Sequence, residues 1–348
     1  MKTFTVKYTQ IVKGCAVMLL LFHHLFYAQD RYSLLNLKWV NADNVPYLSL
    51  LATDARVCVS IFLMLSGYGI YIKLKKNNKS LLNCCKAVGQ SLKKVMINFW
   101  YVFIVFVPVS LYLGKAYVYQ NGNFVKNILL DFLGVAKLFN TPTMNGAWWY
   151  MSVVVISYLF APLIFRIVDH FPKLTIILLL FFVITKDKLW HYTGINLLLF
   201  YVIFFAEGML FAKLGILDRV VSFTSDNKGL RLVADIVLML VLLFTVWMIR
   251  RKGDIRLDTL FGAVVIIFII TVFGKIKYLN DFFAFVGGHS GNMFFAHSFF
   301  YSEVFLKDFI YGMKNPILVY LTLFILSLGT SIIIEKIKKV TEIKGDQL

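Results

Sequence analysis

Apolar blocks about as long as a bilayer is thick recur through this 348-residue chain. A spanning helix needs about 20 predominantly apolar residues, and inside lipid only helices or closed barrels satisfy every backbone amide and carbonyl. Ten blocks bounded by charge, proline, glycine or asparagine fall at about 11–28, 47–72, 95–113, 147–165, 174–185, 195–212, 232–249, 259–274, 282–306 and 317–334. They predict an all-α polytopic membrane protein of about ten transmembrane helices, a single membrane-embedded domain over residues 1–348. The fifth block is short, which suits a tilted or partial span. Composition agrees: 59% of residues are hydrophobic and 16% charged, against roughly 45–50% and 25% in soluble domains. No internal repeat or low-complexity segment is visible, which moves inverted-repeat transporters down the order.

The net charge of +18 would suggest nucleic acid in a soluble chain. Here the basic residues sit between apolar blocks, where they set orientation. Ten spans put both termini on one side, and that side holds 22 of the 36 lysines and arginines against 13 opposite, with Arg56 in a span. The excess predicts cytoplasmic termini and a multi-pass protein of the cell membrane. One segment disagrees, the basic "RRKGDIR" of Arg250–Arg256, which falls on the outer face. The partners read from composition are the bilayer and anions, not nucleic acid, and a homo-oligomer is compatible with such a chain. The four cysteines show neither metal-ligand spacing nor a disulfide framework. The first block lacks a small-residue cleavage site, so it is expected to be a retained span.

Within the first block, "KGCAVMLLLFHHLFY" carries adjacent histidines, His23 and His24. Polar side chains at bilayer depth face a protein interior or water and mark functional sites. His24 lies eleven residues past Lys13, about 16 Å along a helix, which places it at mid-membrane. Neutral imidazole can take a proton from a hydroxyl and return it. Only one of two helical neighbours can face a given point, since they differ by about 100°. The second block, "DARVCVSIFLMLSGYGIYI", sets Arg56 at its outer end, where a guanidinium needs an anion or water, and Asp54, two residues away, is a poor partner. Ser66, Gly67 and Tyr68 follow, and glycine permits close approach of a helix or ligand. Trp148, Trp149 and Tyr150 open the fourth block, as an interfacial belt or a surface for stacking on sugar rings. Ser290 and His297, seven apart, share one helix face. Glu207 is within reach of a structural pairing with Lys213, and Glu303 has no assigned role. The outer segment Phe124–Phe139 has helical apolar spacing, suited to an interfacial helix or a lid.

These segments together resemble the integral-membrane acyltransferase type 3 family. Its first helix carries a basic residue, ten residues, then a histidine implicated in catalysis; Lys13 and His24 fit, with lysine replacing the usual arginine, and the match selects His24 over His23. "RVCVSIFLMLSGY" is similar to the family's R-x-x-V-P-x-F-F-x-x-S-G-Y, with Arg56, Val59, Phe62, Ser66, Gly67 and Tyr68 in place and Ser60 where proline is common. "AWWYMSVVVISYLFAPLI" and "SGNMFFAHSFF" are similar to its later segments, the second aligning Ser290 and His297. The resemblance implies transfer of an acyl group, most often acetyl, from acyl-CoA (acetyl-CoA) to a hydroxyl of a polysaccharide, glycan or lipid-linked sugar. His24, Lys13 and Arg56 would be catalytic, Lys13 and Arg56 would also hold the donor, and Ser66, Tyr68, Trp148, Trp149, Tyr150, Ser290 and His297 would meet substrate, with no metal. The lysine-rich "KLKKNNKSLLNCCK", Lys73–Lys86, is a candidate for attracting the donor's phosphates. The competing reading is a transporter of polysaccharide or lipid-linked sugar, and a third is a glycan polymerase. No esterase-like domain is expected after the last block.

Overall fold

The computed structural model describes residues 3–32, 37–38, 45–77, 80–120, 122–185, 194–224, 229–250, 255–302 and 305–345. In chain order its α-helices are α1 (Val6–Phe26), α2 (Val45–Asp54), α3 (Cys58–Asn77), α4 (Leu81–Ser110), α5 (Tyr117–Gln120), α6 (Phe124–Phe132), α7 (Trp149–His170), α8 (Pro172–Ile184), α9 (Gly194–Leu214), α10 (Ile216–Thr224), α11 (Leu230–Arg250), α12 (Asp258–Val272), α13 (Lys277–Phe300), α14 (Lys307–Gly312) and α15 (Pro316–Gly345). No strand occurs among the described residues. Helices overlap each of the ten apolar blocks, two of them sharing the second, and eight spans among the described residues are long and apolar enough to cross a membrane. The other two fall short for different reasons. At 13 residues α8 is too short, covering about 20 Å of a ~30 Å hydrocarbon core. Helix α13 is 24 residues long, but the polar run through Gly287, His289, Ser290 and Asn292 lowers its hydropathy.

The helix ends correct one expectation. The second block is one apolar run, yet a 3-10 turn at Ala55–Val57 divides it into α2 and α3. The described part of the lysine-rich Lys73–Lys86 stretch, which lies between two apolar blocks, belongs to the end of α3 and the start of α4, with Cys84 buried and Cys85 exposed on the latter. Lysine is a good helix former, and its charge says only that the helix has left the lipid.

The chain divides into two compact units, each assembled from separated stretches. The first comprises residues 1–16, 57–94 and 151–287. Its tightest packing is α3 against α9, where glycine lets backbone meet backbone: a Cβ on Gly67 would sit 1.9 Å from the Phe205 carbonyl oxygen, and one on Gly208 would sit 1.9 Å from that of Met64. A second close approach sets Gly14 against Phe283 and Gly287 against Gln10. The C-terminal ends of α3, α7 and α9 meet at Asp169, which accepts from Tyr71 (2.6 Å), Lys75 (2.9 Å) and Lys213 (2.8 Å). Lys213 is therefore the partner of Asp169 and not of Glu207, since residues six apart on a helix point about 120° away from each other. Glu207 is buried on α9, with its Oε2 unpartnered.

The same unit accounts for the basic segment that broke the charge rule. Arg250, ending α11, pairs at 2.5 Å with Asp258, the first residue of α12, and both are almost fully buried. The guanidinium also lies 4.9 Å from the centre of the Phe261 ring, and Arg256 donates to the Thr185 carbonyl. Two of the four basic residues there thus serve packing and carry little topological signal. Arg250→Met strands a buried carboxylate and is expected to cost about 3–5 kcal/mol, whereas the double replacement Arg250→Met, Asp258→Leu restores most of it. Thermal unfolding in detergent checks the pair; equal losses in both variants would rule the ion pair out as the cause.

The second unit comprises residues 17–56, 95–150 and 288–348. Its α6 has inverted amphipathy: it buries Asn127 and Asp131 and exposes Val125 and Leu129, the arrangement of a helix lying on lipid. Asp131 accepts from the Tyr119 hydroxyl (2.5 Å) and the Met144 amide (2.8 Å). Burial lifts its carboxyl to about 7, with those two donors pulling the other way. A carboxyl that binds its proton more tightly when folded contributes stability that is full below about pH 4 and lost as pH rises through about 7. Amide-exchange protection of residues 117–145 is expected to fall over that window. Asp131→Asn, which keeps the acceptor and removes the charge, is expected to flatten the profile.

Candidate active site

All the groups that converge near His24 belong to the second unit. Helix α1 starts five residues before the apolar block and ends at Phe26, so His24 lies in its last turn, about 27 Å from its start. The two neighbouring imidazoles diverge. The His23 Nδ1 sits 2.7 Å from the Ala52 carbonyl oxygen, with the ring stacked on Tyr27 at 4.7 Å. The His24 ring instead lies 4.8 Å, centre to centre, from that of His297, and its Nδ1 is 3.2 Å from the Tyr301 hydroxyl.

Helix α13 presents His297 and then Tyr301 one turn further on. His297 is fully buried, its Nδ1 2.7 Å from the Phe294 carbonyl oxygen. A carbonyl only accepts, so Nδ1 carries the proton and Nε2 keeps its lone pair. That Nε2 is buried and has no hydrogen-bond partner. Arg31 closes the cluster: its guanidinium donates to the His24 carbonyl and lies 5.0 Å and 5.1 Å from the ring centres of Tyr27 and Tyr301. Two imidazoles, a phenol and a guanidinium thus converge, able to exchange a proton and to stabilise negative charge.

Arg31 and Tyr301 were not singled out from sequence. Tyr301 follows His297 at i+4 and could have been found that way. Arg31 sits beyond the first block, where an arginine reads as a topology signal.

The remaining sequence candidates are dispersed. Arg56 is carried by the Ala55–Val57 turn, its Nε buried without a hydrogen-bond partner. Trp148 is buried rather than displayed; its indole N–H donates to the Phe295 carbonyl (3.0 Å), and its face stacks on Phe103 at 5.5 Å. Trp149 is half-buried, and Tyr150 packs 4.6 Å from Phe294. Ser290 is buried two turns before His297, about 10 Å along the axis. Lys13, Ser66 and Tyr68 belong to the first unit. There the Ser66 hydroxyl donates to the Phe62 carbonyl (2.8 Å), and Tyr68 packs edge-on against Phe4. Glu303 lies outside the described residues.

Long apolar helices that carry ionisable groups in their packed interior define a multi-pass, all-α membrane protein. Residues 6–336 match the model of the Acyl_transf_3 family, an acyltransferase domain, and the chain belongs to that family. It is a membrane acyltransferase. Comparison with curated proteins and with solved structures gives no match.

Proposed function

We propose that this acyltransferase moves an acyl group, acetyl in the first instance, from acyl-CoA to a hydroxyl of a cell-surface polysaccharide or lipid-linked sugar. His24 is the general base or acyl relay. The observation that carries the reading is the His24 ring held between the Tyr301 hydroxyl and His297.

For His24 to act as a base at Nε2 its proton sits on Nδ1, and the Tyr301 oxygen, able to accept, holds that Nδ1–H and orients the ring. Nε2 then removes the acceptor's hydroxyl proton while the alkoxide oxygen attacks the thioester carbonyl. Collapse of the tetrahedral intermediate breaks the C–S bond, and the proton passes to the departing thiolate. In the relay variant Nε2 attacks the thioester carbonyl and expels the CoA thiolate, and the sugar hydroxyl then displaces the imidazole, its proton passing to the thiolate. Arg31, beside the His24 and Tyr301 rings, supplies positive charge for the developing oxyanion, and Arg56, carried by the same unit, is the candidate for the donor. The excess of basic residues on the N-terminal side supports cytoplasmic termini in the cell membrane, with the donor arriving from that side.

Purified protein given acetyl-CoA and a glycan acceptor is expected to release free CoA only when both are present, with an ester formed on the glycan. Glycan translocation without thioester consumption would replace this reading with that of a transporter. Tyr301→Phe is expected to lower kcat by about tenfold or more while leaving the KM for acyl-CoA nearly unchanged, since it affects the orientation of the His24 ring and not donor binding. A rise in that KM at unchanged kcat would reassign Tyr301 to binding.

A further inference from the structure

We propose that a cleft at the end of α7, in the first unit, is a binding site for the headgroup of an anionic phospholipid. The cleft has a volume of about 430 Å³ and is lined by Arg166, Ile167, His170 and Phe171. Arg166 and His170 are exposed at its rim. The His170 Nδ1–H donates to the Arg166 carbonyl (3.0 Å), which turns its other ring nitrogen outward.

Three features select a phosphate with acyl chains. The carboxylate nearest in sequence, Asp169, is already occupied by Tyr71, Lys75 and Lys213. Among the described residues, the Arg166 guanidinium makes no ion pair. Lys75 and Lys213 already meet the charge of Asp169, which leaves the Arg166 guanidinium to grip a phosphate through two parallel hydrogen bonds. Helix α8 begins at the same corner, and no side chain caps its first amides; this end of a helix favours negative charge.

The third feature is an apolar stripe running away from the cationic rim. Phe171, Leu174, Leu178 and Phe181 recur at helical spacing and are each about half exposed, between 46% and 59%, on a helix whose other faces are also apolar and exposed at Ile177, Leu180 and Ile184. Their stripe is about 15 Å long, comparable with a lipid acyl chain. A soluble phosphate, such as those of the acyl donor, would leave that stripe unused. The proposal is independent of the acyl-transfer chemistry.

The test is native mass spectrometry of the full chain in detergent, with phosphatidylglycerol, phosphatidylcholine or 3′,5′-ADP, the last presenting the phosphates of a CoA-like donor. Phosphatidylglycerol is expected to remain bound in preference to phosphatidylcholine. Arg166→Gln is expected to weaken its retention about fivefold, the usual contribution of one basic residue at an anionic surface. Arg166→Lys, which keeps the charge and loses the fork, should fall between and serves if the glutamine variant does not fold. Equal retention of the two lipids, or retention unchanged in both variants, overturns the proposal. Displacement of phosphatidylglycerol by 3′,5′-ADP would also overturn it, assigning the cleft to a soluble phosphate.

Discussion

His24→Ala is expected to reduce acyl transfer by about 10²–10⁴-fold, the range that a positioned acid–base group contributes, while the protein still inserts and folds. The fold should survive because the His24 ring is only partly buried and its side chain makes one hydrogen bond, to Tyr301. His23→Ala is the informative control. His23 is buried and anchored to the Ala52 carbonyl, so its loss should lower stability more than turnover. The measurement is esterified glycan per membrane-inserted protein, with thermal unfolding alongside. Normal acylation in His24→Ala would reject the base and the relay together, because both need the same nitrogen. Equal losses in the two variants would mean that the helix end matters and not the particular ring.

Gly67→Ala and Gly69→Ala, two residues apart on α3, are expected to act with opposite sign. A Cβ at Gly67 would meet the Phe205 carbonyl oxygen at 1.9 Å, whereas a Cβ at Gly69 would meet nothing within 4 Å. The first clash is with backbone, so no rotamer change relieves it, and α3 and α9 must separate along the crossing. The loss should reach or exceed the upper end of the roughly 1–3 kcal/mol that overpacking costs. At Gly69 the same methyl relieves glycine's helical penalty, a gain of up to about 1 kcal/mol. Gly208→Ala should reproduce the Gly67 result from the opposite helix, since its Cβ would meet the Met64 carbonyl. Thermal unfolding of the three variants decides the matter; similar behaviour of Gly67→Ala and Gly69→Ala would show that the helices are not in backbone contact there.

The contrast between those glycines marks how far the sequence can be read. "SGYG" offers two glycines of equal size, but only the packing of α9, nearly 140 positions away, distinguishes the glycine that is required from the one that is free. The Arg250–Asp258 pair makes the same point with charge. "RRKGDIR" looked like an exception to the distribution of basic residues, and it was unreadable because the counter-charge that buries Arg250 begins the next helix. Trp148 shows how a residue type can mislead: tryptophan at a span's start suggests a belt or a sugar platform, yet its indole is enclosed by Phe99, Phe103 and Phe299.

From sequence alone came the all-α membrane class and the family, because each rests on short-range information. A run of apolar side chains must leave water whatever surrounds it, and its hydropathy adds up residue by residue. Tertiary structure alone decided that the His24 ring meets His297 and Tyr301 while His23 turns to Ala52, that Arg31 joins the cluster, and that Lys213 serves Asp169 in place of Glu207. Such contacts join residues tens to hundreds of positions apart, and they depend on the rotation and axial offset of packed helices, to which a local hydropathy pattern is blind.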